Sequence, residues 1–301
     1  MIINKNLSLK WFLVSLSGKL KDYGQLVKMR LTLMVVFSAI IAFLLAAHGQ
    51  FEWNAIVLLF MGSFFTVGAA NGINQIIEKD SDKLMKRTEN RPIVQKRMGV
   101  TEAIIASSVM GFLGVLILGL FLNQFSAILA FVGLIIYAFL YTPLKKVSPI
   151  AVFVGAIAGA VPPMVGFVAF SNAITDTALV LFTIQFIWQF PHFWAIAWVL
   201  DDDYKRAGIK LLPSGGEKNK VGAFSVILFT LPLIPLSLLP VYFGMLSVTA
   251  AMVCLVVSAL FVWQSIQLYR KLSNKAALQL MFGSFFYLPI VFLTFLIDKI
   301  I

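Results

Sequence analysis

The sequence predicts an all-α, polytopic membrane protein: about nine transmembrane helices around a central cavity open to the cytoplasmic side. Three observations lead there. Of 301 residues, 60% are hydrophobic and 12% charged, whereas a soluble domain is about 45–50% apolar and about 25% charged. The apolar residues arrive as long charge-free runs, the mark of lipid as solvent. The basic residues between those runs segregate to alternate connections.

Residues 1–30 come first. Lys10, Lys19, Lys21 and Lys28 alternate with Leu and Trp, which reads as a cytoplasmic interfacial amphipathic segment. Trp11 to Leu16 is too short for a signal h-region, lacks a small-residue cleavage site and is not Arg-rich as a transit peptide would be. A bacterial cytoplasmic membrane is the expected location. Residues 31–301 then form one intramembrane domain. Runs able to cross a ~30 Å hydrocarbon layer fall at 31–48, 53–76, 102–122, 125–143, 149–170, 178–200, 221–243, 246–268 and 277–297. Short connections make consecutive helices neighbours. With the N-terminus inside, only Lys299 of the 24 Lys and Arg falls outside the inner segments, as the positive-inside rule requires.

The net charge of +11 therefore signals topology and lipid headgroups rather than nucleic acid. The single cysteine, Cys254, excludes an intrachain disulfide and a cysteine-type zinc site. Prolines at 162, 163, 191, 232, 235, 240 and 289 each remove a backbone donor and favour kinks. Lipid cannot satisfy the freed carbonyls, so neighbouring helices or an aqueous cavity must. These prolines are either ordinary tolerated kinks or the sign of a bundle splayed around a cavity.

Two long inner loops carry mixed charge. At the end of the second run, Asn74, Glu78 and Asp82 are spaced by four residues. Four residues advance a helix by ~400° and ~6 Å, so the three form one stripe. An amide and two carboxylates are hard oxygen donors, suited to Mg²⁺ that shares phosphate oxygens. Asn74 lies inside the apolar run, where an amide needs a partner. Lys83, Lys86, Arg87 and Arg91 follow, and cations beside a carboxylate–metal cluster suit a diphosphate. The plainer alternative is a solvated loop of cancelling ion pairs. Asp80 points away from the stripe.

In the sixth run Gln189, His192 and Asp203 are offset by three and eleven residues, and share a face if the helix persists. Asp201 to Asp203 offer a second acidic pole, with Lys205, Arg206 and Lys210 beside it. His192 follows Pro191 among Trp188, Phe190, Phe193, Trp194 and Trp198. A lone histidine there is ordinarily a hydrogen-bonded structural residue, and such rings ordinarily pack or face lipid; alternatively the rings shield an allylic cation. His48 is given no role. Two acidic poles on one side of a kinked apolar bundle suit ionisation of a prenyl diphosphate, with positioning and electrostatics supplying the rate.

The first stripe, with Met85, Arg87, Thr88, Arg91 and Pro92, resembles the first signature of the UbiA prenyltransferase superfamily in its haem O synthase branch. The usual Asn-x₃-Asp-x₃-Asp has Glu78 at its middle place. YTPLKK at 141–146, GAIAGAVPPMVGF at 155–167 and WQFPHFWAIA at 188–197, followed by Asp203, Tyr204, Ala207, Gly208, Leu212 and Pro213, are similar to that branch. Quinone-type members carry an Asp-rich motif where this chain has Pro191-His192. Near Arg30 the branch commonly has Lys-Pro-Arg; Lys28-Met29-Arg30 keeps the charges without the proline.

The resemblance implies a single prenyltransferase domain over 31–301. The implied reaction joins farnesyl diphosphate, haem B and water into haem O and diphosphate. It implies Mg²⁺–diphosphate held by Asn74, Glu78, Asp82 and Asp203, with Arg87, Arg91, Lys145 and Lys205 as partners of diphosphate or haem propionates. His192 is read as a haem-side contact or axial ligand. Haem B is then a substrate, Mg²⁺ the cofactor, and haem A synthase or terminal oxidase assembly a neighbouring partner. The competing readings are a quinone-pathway aromatic prenyltransferase, a small-molecule transporter and a structural assembly factor.

Overall fold

The computed structural model describes residues 17–300; of the predicted interfacial segment, residues 1–16 lie outside these. Among the described residues there are nine helices long and apolar enough to cross a membrane and no strand. They are α1 Met29–Ala47, α2 Trp53–Asp82, α3 Val100–Phe121, α4 Gln124–Leu144, α5 Ala151–Ser171, α6 Asp176–Val199, α7 Lys220–Tyr242, α8 Val248–Lys271 and α9 Asn274–Ile300. The chain is a multi-pass membrane protein.

Helix α5 is the centre of the bundle: 72% of its apolar window is buried, against 17% for α3. It packs on α1, α4 and α6, and α6 also packs on α9, so neighbours in space are not only neighbours in sequence. The reason is the small side chains of α5. Lipid tails are as apolar as leucine, so helices associate by close packing and interhelical hydrogen bonds. At Gly166 an added Cβ would meet the Ala39 carbonyl oxygen of α1 at 1.8 Å, a contact only glycine permits.

The prolines behave as lipid solvent demands. Pro163 removes the donor that the Gly159 carbonyl would use four residues back. Gln185 of α6 supplies a replacement, its Nε2 donating to Gly159 O at 2.5 Å. Gln189, one turn on, donates to Ala156 O at 3.1 Å. In α7 the helix instead breaks, into Lys220–Thr230 and Leu233–Tyr242, around Pro232.

Helix α2 departs most from the apolar run, continuing six residues beyond 76. Its C-terminal end is held by polar packing that hydropathy does not register. Gln75 Nε2 donates to the Gln25 and Leu26 carbonyls, both at 2.8 Å, capping the helical segment over 17–26 that precedes α1. Arg97 pairs with Asp22 of that segment at 2.9 Å, folding loop 83–99 back over the helix end. Thr88 Oγ1 donates to Asp82 O at 2.9 Å. In α4 the last turns widen to a π-helix over Ile136–Tyr141, a geometry that re-aims side chains and recurs at functional sites.

Candidate active site

The predicted stripe on α2 forms. Asn74, Glu78 and Asp82 are all buried, and Asn74 Nδ2 donates to Glu78 Oε2 at 2.9 Å and to Thr142 Oγ1 of α4 at 3.1 Å. Each acid has a basic partner from another segment. Lys145, itself buried, places Nζ 2.5 Å from Glu78 Oε1. Arg91 pairs with Asp82 Oδ2. On the other side Lys28 Nζ donates to Asn74 Oδ1 at 2.7 Å. Asp80 points outward and pairs with Lys83 at 2.9 Å, as expected.

Lys28 sits just before α1 with φ 50° and ψ 56°, a left-handed conformation uncommon for a side-chain-bearing residue. That turn aims its ammonium into the bundle. Burial first, then the charges of Arg91 and Lys145, hold the ammonium well below the ordinary lysine range, with Glu78 opposing. Lys28 Nζ also lies 3.5 Å from Tyr137 Oη, which donates to Asn71 Oδ1 at 3.4 Å.

Tyr137 and Asn71 are the polar end of a largely apolar cavity of about 110 Å³, bounded by α1, α2, α4 and α5 and reaching Ser63 and Val165. A cavity thus lies within the bundle, and its polar end faces the charged cluster. Three cations, Lys28, Arg91 and Lys145, meet two carboxylates there. Such a cluster is poised for a ligand that carries more negative charge than a divalent ion supplies.

The residues fit such an ion. Asp82 Oδ1 is buried and has no hydrogen-bond partner, an arrangement that is costly unless something else occupies the lone pairs. An amide and two carboxylates are the donor set Mg²⁺ takes while keeping waters.

The second acidic pole is only adjacent. Helix α6 ends at Val199 and a separate short helix spans Asp201–Arg206, so the face predicted for Gln189, His192 and Asp203 does not form. Gln189 instead braces α5. His192 turns to α9, its Nδ1 lying 2.7 Å from Ser284 Oγ. Asp203 pairs with Arg206 and accepts from the Arg87 backbone N–H at 3.4 Å. Among the described residues no three His, Cys, Asp or Glu side chains cluster closely enough to hold a metal; Asp203 stands outside the Glu78–Asp82 group. Lys205 is exposed and pairs with Asp201 at 2.9 Å, which Lys218 also approaches at 3.7 Å.

The loops after α2 and α6 are nevertheless tied together. Arg206 Nε donates to Leu84 O at 3.1 Å, and Lys210 N to Lys145 O at 2.9 Å. The loop after α6 thus grips the residue whose side chain holds Glu78. Phe193 stacks on Tyr141 at 6.2 Å, and Lys145 Nζ lies 4.8 Å from the Tyr141 ring centre. Part of the predicted aromatic lining therefore faces the polar cluster.

A model of the UbiA prenyltransferase family matches residues 35–290. The chain belongs to this family. It is 49% identical over 285 residues to a protoheme IX farnesyltransferase of Cytophaga hutchinsonii, covering 95% of this chain and all of the relative. A relative of the same name from Flavobacterium johnsoniae is 40% identical, covering 95% of this chain and 97% of the relative. The fold is similar to that of a digeranylgeranylglyceryl phosphate synthase, with TM-score 0.79 at 20% identity, covering 94% of this chain and 99% of the other. It is also similar to a UbiA homologue from Archaeoglobus fulgidus bound to GPP and Mg²⁺, with TM-score 0.61 at 16% identity, covering 91% and 99%.

Within this UbiA family member, sequence reasoning passed over four site residues. Lys28 was noted only for its charge. Asn71, three residues before Asn74, carried a visible signal, being a second amide in an apolar run. Thr142 lies within the YTPLKK segment without being given a role there, and Tyr137 carried no signal, because its placement depends on the π-helical turns of α4.

Proposed function

We propose that this chain is a Mg²⁺-dependent prenyltransferase that transfers the farnesyl group of farnesyl diphosphate to a vinyl group of haem B. The products are haem O and diphosphate. The observation that carries the acceptor is the 49% identity, over nearly the whole of both chains, to a protein named protoheme IX farnesyltransferase. What supports the donor is the charged cluster at the polar end of an apolar cavity.

In the reaction the bond between C1 of the farnesyl group and its oxygen breaks, and the electron pair leaves with the diphosphate. The vinyl π-electrons form the new carbon–carbon bond, and water adds to the resulting cation with loss of a proton. Asn74, Glu78 and Asp82 would hold Mg²⁺, while Asp203, paired with Arg206, stands outside that group at the rim. Bound there, Mg²⁺ supplies charge stabilisation to the departing diphosphate. Lys28, Arg91 and Lys145 bind the remaining anionic oxygens. Arg87 and Lys205, both exposed at the rim, serve the outer diphosphate oxygens or the haem propionates. Tyr137, which lines the cavity beside Lys28, presents a π-face where an allylic cation would form, and Tyr141 lies beneath Lys145. The farnesyl chain lies between α1, α2, α4 and α5, away from water. His192 contacts the haem side.

The domain reading is a single prenyltransferase unit over 31–301 preceded by the cytoplasmic segment 1–30. The basic loops support a reading in which the N-terminus and the site lie at the cytoplasmic face of a bacterial cell membrane. Purified protein in detergent, given haem B, farnesyl diphosphate and Mg²⁺, is expected to form haem O by mass, and to stop when EDTA removes the ion. Prenylated 4-hydroxybenzoate or a naphthoate, with no haem O, would replace this reading with the quinone-type one.

A further inference from the structure

His192 lies on α6 and faces α9, on the far side of Phe193 from the charged cluster. Its Nδ1 is 2.7 Å from Ser284 Oγ. Ser284 is fully buried, and its hydroxyl donates to the Met281 carbonyl at 2.6 Å. A hydroxyl has a single proton. With that proton on the Met281 bond, Oγ can only accept from His192. An unprotonated Nδ1 would set lone pair against lone pair at hydrogen-bond distance. The geometry therefore requires Nδ1–H, and a neutral imidazole in that tautomer carries its lone pair on Nε2.

Among the described residues, Nε2 has no hydrogen-bond partner. Neighbouring rings clamp the imidazole. Trp188 stacks on it at 4.4 Å and 18°, and Phe285 meets it edge-on at 5.3 Å. Trp188 Nε1 donates to the Ser284 carbonyl at 3.0 Å, so one residue of α9 orients both rings. His192 itself is only half-buried. Next to it, Phe193 begins the aromatic wall that leads through Tyr141 to Lys145. A ring nitrogen donating to a fixed acceptor, with the opposite nitrogen left as a lone-pair donor, is the arrangement of metal-ligating histidines.

We propose that His192 Nε2 coordinates the iron of the haem acceptor, and that Ser284 is its positioning residue, fixing the tautomer through Nδ1–H. This rests on the haem reading above. Ligation at the iron holds a flat ring by its centre and leaves its rim at the aromatic wall beside the donor site.

The test titrates full-length protein in detergent with haem B alone, followed by absorption and electron paramagnetic resonance. The wild type is expected to give an imidazole-ligated spectrum. His192→Ala loses it, and added imidazole restores it. Ser284→Ala keeps the ligand signature but binds haem B about 10–100-fold more weakly, while Ser284→Thr stays near wild type. A folded His192→Ala with unchanged spectrum and affinity would overturn the ligation. An unchanged affinity in Ser284→Ala would overturn the positioning role, and His192→Gln serves if the alanine variant fails to fold. Haem O formation by the wild type is measured in parallel. Haem O with a His192-independent spectrum sinks this proposal alone; a His192-dependent spectrum without haem O sinks the reaction and leaves the site standing.

Discussion

Replacing Gln185 by Leu removes the donor that the Gly159 carbonyl receives in place of the amide Pro163 lacks. Gln185 is 5% exposed, so water cannot substitute. Leaving a buried carbonyl unpaired costs about 1–3 kcal/mol, while interhelical hydrogen bonds within membranes average about 0.6 and reach about 1.7 kcal/mol. The Gln185 Oε1 is itself buried without a partner, and leucine removes that liability. The net loss should therefore be about 1 kcal/mol. In a Pro163→Ala background the restored amide can bond Gly159 directly, and Gln185→Leu should then be close to neutral. The double-mutant cycle thus predicts a coupling of about 1 kcal/mol. Unfolding titrations with sodium dodecyl sulfate on the four purified proteins would measure it. An equal loss in both backgrounds would show that Gln185 does not compensate for the proline, and the reasoning from lipid as solvent would be wrong at this position.

Asp82→Asn keeps the shape of the side chain but removes the charge behind the unpartnered Oδ1, and kcat should fall about 10²–10³-fold with a higher Mg²⁺ requirement and unchanged elution volume. Lys145→Met strands a buried carboxylate and should destabilise by about 3–5 kcal/mol; adding Glu78→Gln is expected to recover most of the stability and none of the turnover. Lys28→Gly accepts the positive φ, so melting temperature should hold while KM for farnesyl diphosphate rises about tenfold, near the 1.4 kcal/mol of one modest ionic contact. Gly166→Ala forces α1 and α5 apart and should cost about 1–3 kcal/mol, read in the same unfolding titration.

The stripe on α2 was legible because periodicity, donor chemistry and the position of Asn74 in an apolar run agree. The second pole was legible only as composition. Its acids are real, but α6 ends at Val199, and the restart at Asp201 turns Asp203 toward Arg206 and the Arg87 backbone. A continuous helical wheel cannot represent that turn. Gln189 shared the same wheel as His192, yet one reaches α5 and the other α9. Polar residues inside an apolar helix announce that a partner exists without saying which helix supplies it.

What the sequence determined by itself is everything governed by transfer between water and lipid: the nine membrane-length apolar helices among the described residues, the gathering of charge in alternate connections, and the oxygen-rich stripe at the C-terminal end of α2. Those follow from local composition, because the bilayer acts on each segment separately. The tertiary structure alone decided which cation meets which acid. It also decided that Gln185 repairs a carbonyl freed by proline and that a widened turn in α4 delivers Tyr137 to Lys28. These pairings join residues far apart in the chain, and their distances are set by glycine-permitted helix approach and backbone hydrogen-bond demand, which no one-dimensional pattern records.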